Sequence, residues 1–268
     1  DQPMARLVRD SFMYGTLMIA VKSRSQGKWL HQFDKIVSKY FAGTMSWIVS
    51  DSHFPGLEIR AEVVPMANSI GMAFHCTATG AKEDDKLILA FGGAYGPKKK
   101  LSIWPEDHTW DLDVSYYPEI LDFNFQASQC KNNQVIVDER KSSLILNDSV
   151  QNKFLTVVTG SNLPARPKSG DATQWNDVNH FTRSSGSSRP LLHIESVLEN
   201  DKDYYWACDA FTPGDQLNYQ NINDPEKSFS DAKSELNTIQ SRIDINTPDP
   251  FLNAAAKVIG LGSVDKAV

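Results

Sequence analysis

Along most of this chain apolar and polar residues alternate one for one. "LEIRAEVV" sets Leu57, Ile59, Ala61 and Val63 on one side and Glu58, Arg60 and Glu62 on the other, and "IGMAFHCTAT" repeats the pattern with Ile70, Met72, Phe74 and Cys76. Successive side chains of an extended strand point to opposite faces, so a two-residue period marks strands with one buried face. "KLILAFGG", "NQVIVDE", "SSLILN", "NKFLTVVTG", "PLLHIESVLE" and "DYYWACDAF" follow, each bounded by Gly, Pro, Asn, Asp or Ser, the residues that favour turns. Short strands with turn chemistry between them, and no helices in alternation, predict a mainly antiparallel β fold over roughly residues 5–215, a sandwich or barrel rather than a doubly wound α/β sheet.

Three segments depart from that period. In Ser230–Ile243 the apolar residues Ala232, Leu236, Ile239 and Ile243 fall at helical spacing behind a serine, which predicts a helix. From Gly160 to Pro190 there is no period, and Gly, Pro and Ser are dense; a loop of that length is either functional or disordered. Trp175 and Phe181 in its middle favour a loop that packs or binds something. In "NTPDPFLNAAAKVIG", Thr247 is placed to cap a helix, Pro248 to occupy its first position and Asp249 to sit at the positive end of its dipole. Phe251, Ala254, Ala255 and Val258 then form an apolar stripe and Gly260 a stop. Two readings stay open: a terminal helix docked back on the domain, or the first helix of a second domain.

The 268 residues, 41% of them hydrophobic, suffice for a full core. A net charge of -6 without a sustained basic run argues against nucleic acid or an anionic membrane surface as partner; "PKKK", Pro97–Lys100, reads as a solvated loop. No apolar stretch reaches the 18 or so residues of a membrane-spanning helix, so membrane insertion is not expected. The sequence starts at Asp1 without an initiator Met or an apolar signal region, so any targeting segment is expected to lie outside it. Cys76, Cys130 and Cys208 lack zinc-site spacing and read as buried thiols.

"KWLHQFDKIVSKYFAGTMSWIVSD" (Lys28–Asp51), the strand ending "FGGAYG" (Phe91–Gly96) and the helix leading into "RIDINTPDPFLNAAAKVIG" together resemble a family of large exported proteins from gut-type Bacteroidetes, assigned as glycoside hydrolases with a domain of unknown function. The resemblance implies an N-terminal antiparallel β-supersandwich, galactose-mutarotase-like, followed by an (α/α)6 toroid of the six-hairpin class. It implies a sandwich over residues 1–228, a linker helix and connector over 229–246, and the first helix of a truncated helical domain over 247–268. Since the toroid usually carries both catalytic carboxyls in such enzymes, the resemblance assigns no catalytic residue here. It implies an exported, periplasmic or cell-surface protein with carbohydrate and the missing helical domain as partners, and this part of it inactive by itself. No cofactor or metal is expected.

Among the residues themselves, "WPEDHTWDLD" places Glu106, Asp107, Asp111 and Asp113 around His108 and between Trp104 and Trp110. Indoles stack on the C–H face of a pyranose while carboxylates accept from its hydroxyls. Trp104, Trp110, Asp111 and, in the long loop, Trp175 are therefore the candidate carbohydrate contacts, with an ordinary capped loop as the plain alternative. His193 and Glu195 lie two apart on a strand and face one side, the histidine and carboxylate that a mutarotase-like cleft uses; two polar residues on the open face of a half-buried strand are also ordinary. His75 with Thr77 and Thr79 has the same ordinary reading. "FGGAYG" follows a strand, but "PKKKLSIWP" after it cannot open the helix that a phosphate cradle needs. The expectation is the non-catalytic sandwich domain of a glycoside hydrolase; the alternatives are a free-standing carbohydrate-binding module, or a sugar epimerase or lyase complete in this chain.

Overall fold

Strands with one apolar face must bury it against another layer, and here two antiparallel sheets do so against each other. The computed structural model describes residues 3–9, 12–24, 26–41, 43–66, 69–95, 125–138, 142–146, 154–160, 167–211, 222–242, 246–253, 255 and 256. Its strands are β1 (Met4–Arg9), β2 (Phe12–Lys22), β3 (Gly27–Trp29), β4 (Lys35–Phe41), β5 (Thr44–Ser50), β6 (Glu58–Pro65), β7 (Ile70–Thr79), β8 (Lys86–Gly92), β9 (Asn133–Ile136), β10 (Ser142–Leu146), β11 (Phe154–Gly160), β12 (Lys168–Asp171), β13 (Pro190–Val197) and β14 (Tyr204–Phe211). Sheet A runs β1-β2-β8-β13-β12, with β3 paired to β2; sheet B runs β4-β5-β6-β7-β14-β11-β10-β9. The antiparallel sandwich expected from the two-residue period is therefore present.

Between the sheets, Leu17, Ile19, Leu89, Phe91, Leu192 and Ile194 of sheet A meet Ile59, Met72, Phe74, Cys76, Tyr204 and Trp206 of sheet B. Sheet A is apolar on its other face as well: Met18, Ala20, Ile88, Ala90 and Leu191 are buried there beneath a helix, α1 (Val178–Arg183). Sheet B is covered in turn by α2 (Pro225–Ser241), whose Phe229, Ala232 and Leu236 pack on Val64, Ala73 and Ala207. The result is four layers, helix, sheet, sheet and helix. Among the described residues no helix is long and apolar enough to cross a membrane.

Three expectations need correction. Residues 160–190 are not without structure, since β12, a 3-10 turn at Ala172–Gln174 and α1 fall inside them. A six-residue helix is too short to write a period; Asp177 caps it by accepting from the backbone N–H of Asn179 and His180. The second helix starts at Pro225 rather than Ser230, because Asp224 caps it through the Lys227 N–H and Pro225 takes the first position, where its missing N–H costs nothing. The same Asp-Pro pair recurs at the C-terminal helical turn: Asp249, not Thr247, accepts from the Phe251 N–H at 2.8 Å, and helical backbone begins at residue 250. Phe251 and Leu252 are 83% and 57% exposed there.

Connections are fixed by specific polar contacts. Where β13 crosses to β14, the Tyr204 hydroxyl donates to the Val197 carbonyl at 2.7 Å and accepts from the Glu199 N–H at 2.8 Å. Buried Asn133 bridges to Ala94, donating to its carbonyl at 2.6 Å and accepting from its N–H at 3.0 Å. Gly80, at φ 75°, ends β7 so close to Gly56 that an added Cβ would lie 1.8 Å from the Gly56 carbonyl oxygen. All three cysteines are free and buried, and burial pushes the Cys76 and Cys130 thiols up to about 12.

Gly80→Ala is accordingly expected to destabilise the domain by at least about 2 kcal/mol, combining left-handed strain with a backbone clash; urea unfolding measures it. Truncation after Asn246 is expected to shift the melting temperature by no more than about 2 °C, because Phe251 and Leu252 remain largely in solvent. Unfolding on truncation would place that helix in the core.

Candidate functional site

The side chains that carry chemistry gather on the outer face of sheet A, because β13 turns every second residue toward it. His193 sits there between Ala90 of β8 and Lys168 of β12, and Glu195 lies opposite Ile88. β13 is an interior strand and α1 covers it, so the expected open face is closed over the histidine. His193 is 0% exposed, with the Phe181 ring 4.9 Å away between centroids. Glu195 keeps a side-chain exposure of 13% and is approached by Lys168 at 3.4 Å, Lys86 at 3.6 Å, Lys22 at 3.8 Å and His193 Nε2 at 3.8 Å. The neighbouring imidazole is the largest influence on its carboxyl, burial opposes it, and the three lysines add to it; together they hold the group at about 2. Burial lowers the Lys22 ammonium, partly offset by Glu195.

Further along the same face lies an aromatic cluster. Trp29, wholly buried at the end of β3, donates its indole N–H to the Trp175 carbonyl at 2.6 Å. Its ring lies 5.9 Å from Phe181, 6.3 Å from Trp175 and 6.4 Å from His31, nearly parallel to the last. Trp175 is half-buried, edge-on to Phe125 at 5.1 Å and 6.0 Å from His31. Burial pushes the His31 imidazole down to about 4, so it is neutral near pH 7. Among the described residues its Nδ1 has no hydrogen-bond partner. Of the four candidate carbohydrate contacts, Trp175 is thus placed in an aromatic cluster, while Trp104, Trp110 and Asp111 lie outside the described residues.

Two other groups are structural. Asp51 is buried and accepts from Lys28 Nζ at 2.5 Å, from the Asp34 N–H at 2.9 Å and from the His53 N–H at 2.8 Å. Asp34 accepts from Ser52, and Lys28 lies 3.2 Å from it. Asp34, Asp51 and His53 could offer three ligand atoms to a cation, but the Lys28 ammonium already supplies the positive charge, and hydrogen bonds hold the Asp34 carboxyl well below its ordinary range. On sheet B, His75 lies 2.6 Å from Asp203, stacks on Tyr205 at 4.7 Å and meets Phe229 of α2 at 5.4 Å. It seats the helix.

The sequence reading missed Trp29, His31 and the lysines. A signal existed: "LMIAV" and "LILAF" are continuous apolar runs, the mark of strands buried on both faces, and each run adjoins a lysine, Lys22 or Lys86, which the register sets opposite one another.

The depressed imidazole gives a testable pH dependence. With a native value near 4 against an ordinary 6.5, the folded state binds fewer protons than the unfolded chain between those limits, so stability falls as pH drops through that window. The loss is on the order of 2 kcal/mol, since each tenfold difference in proton affinity between the two states is worth about 1.4 kcal/mol. Urea unfolding at pH 7 and pH 4.5 is expected to show a smaller loss in His31→Gln than in the unaltered protein.

A family model described as a domain of unknown function, DUF4450, matches residues 11–233. No curated protein matches the chain. Among solved structures, a bacterial glucoamylase complexed with acarbose is 9% identical with a TM-score of 0.49, the match covering 98% of this chain and 33% of that one. A protein from the human microbiome, provisionally assigned as a kojibiose phosphorylase, is also 9% identical, with a TM-score of 0.40 and coverage of 95% and 28%. The chain therefore spans about a third or less of the length of these two proteins.

Proposed function

Because this chain belongs to the DUF4450 family, whose model spans most of its length, we propose that it is the non-catalytic β-sandwich part of a larger glycoside-hydrolase-like protein, and that its aromatic cluster contacts carbohydrate. The observation that carries this reading is Trp175, an indole left half-buried while its neighbours Trp29 and Phe125 are wholly buried. A rigid ring held by three aromatic neighbours loses little entropy on binding and offers the apolar face on which a sugar stacks. Trp104, Trp110 and Asp111 remain proposed contacts on their chemistry alone.

Glycoside hydrolysis needs a carboxylic acid kept protonated near neutral pH beside a second carboxylate. Asp34, Asp51, Asp171, Asp177 and Glu195 all have carboxyls displaced downward from their ordinary range. That direction suits ion pairs and caps rather than acid catalysis, and with His193 sealed under Phe181 it supports a scaffolding role. The exposed Phe251 and Leu252 offer a surface to a following helical domain, the proposed seat of catalysis. Such a protein would work in the periplasm or at the cell surface, where polysaccharide is met. A full reading frame with several hundred residues after Val268 separates this reading from a free-standing binding module.

Titration with a panel of oligosaccharides, followed by tryptophan fluorescence, is expected to show millimolar or tighter binding. Trp175→Ala should weaken it about fivefold, a stacking contact being worth on the order of 1 kcal/mol. No fluorescence change in the unaltered protein at millimolar glycan would overturn the contact.

A further inference from the structure

Among the described residues, more positive charge gathers around Glu195 than that carboxylate can neutralise. Lys22 and Lys86 stand directly opposite each other in the β2–β8 register, an arrangement that costs stability because like charges face across strands. Lys168 approaches from β12, and Arg183 of α1 adds its charge to the field at Lys22. One carboxylate thus serves three ammonium groups, and none comes closer than 3.4 Å, longer than the 2.7–2.9 Å or so of a well-made charge-assisted hydrogen bond. Lys22 also donates to the Thr182 hydroxyl at 2.6 Å, which fixes its position. Lys86 and Lys168 keep side-chain exposures of 47% and 57%. All this lies in a chain whose net charge is -6, so the cluster is a local reversal of sign. A second anion placed among these ammonium groups would relieve the repulsion and use their spare N–H donors.

We propose that Lys22, Lys86 and Lys168, with Arg183, form a subsite for an anionic group on a saccharide, the carboxylate of a uronic acid or a sulfate ester. It rests on the carbohydrate-contact reading above and deepens it: the outer face of sheet A would take an acidic glycan, with the sugar ring against the Trp175 cluster and the charged substituent at the lysines.

The test is calorimetric titration, at low and high salt, of an oligogalacturonate, a sulfated galactan oligosaccharide, a neutral galactan oligosaccharide of equal length, and sodium sulfate. The acidic saccharides are expected to bind at least tenfold more tightly than the neutral one, and added salt to erase the difference. The double variant Lys86→Gln, Lys168→Gln should lose the preference while retaining neutral-sugar binding and its melting temperature. Glu195→Gln should strengthen the preference by removing the competing anion, a gain that a misfolded variant could not produce. Equal binding of acidic and neutral sugars overturns the subsite and leaves the aromatic contact standing. Sulfate alone binding as tightly as the sulfated sugar overturns it too, leaving an ion site only, and absence of binding by any saccharide overturns both readings. Acidic binding untouched by Trp175→Ala upholds the subsite and removes the aromatic contact.

Discussion

Sheet A is apolar on both faces, and most of what is distinctive here follows from that constraint. Sheet B covers one face; the other would leave Met18, Ala20, Ile88, Ala90 and Leu191 in water if the chain between β11 and β13 did not return over it. Fully burying such side chains is worth roughly 1.5–3 kcal/mol each, enough to hold down a segment with little regular structure of its own. The hydrogen bond from the Trp29 indole to the Trp175 carbonyl fixes where the cover lands. In that cover the Phe181 ring lies over His193, and Trp175 is left half-buried.

The same covering layer decides the electrostatics. A histidine pressed into an aromatic cluster cannot hold a proton cheaply, and His31 is driven down by burial alone. Glu195 lies at the edge of the cover, near enough to the imidazole and the lysines to stay ionised. A carboxyl held that low is a poor general acid, so the histidine and carboxylate that looked most like catalysts are engaged in packing and charge balance. The other face of the molecule repeats the logic with a longer lid: α2 closes sheet B, and His75, stacked on Tyr205 and bonded to Asp203, forms part of its seat.

Local chemistry in the sequence carried far. The two-residue pattern named the strands from β6 onward except β12, because alternation is a direct imprint of one buried face and β12 lies in the segment without a period. Cysteine spacing left three thiols, all free and buried. Helix starts were less secure: Asp224–Pro225 and Asp249–Pro250 are the working caps, and the nearby Ser230 and Thr247 drew attention from them because they too belong to the capping residues.

What the sequence by itself determined, then, is the class of fold, the identity of most strands and the family resemblance, all properties written in neighbouring residues. Which strands lie inside a sheet, which sheet face is covered, and whether His193 meets solvent were decided only in the tertiary structure. Those depend on pairings such as Lys22 with Lys86 and on Trp29 reaching Trp175, contacts between residues far apart in the chain. Burial sets the charge state of His31, and position beside the His193 imidazole and three lysines sets that of Glu195; neither environment exists until the sheets are packed and the outer layer is laid across them.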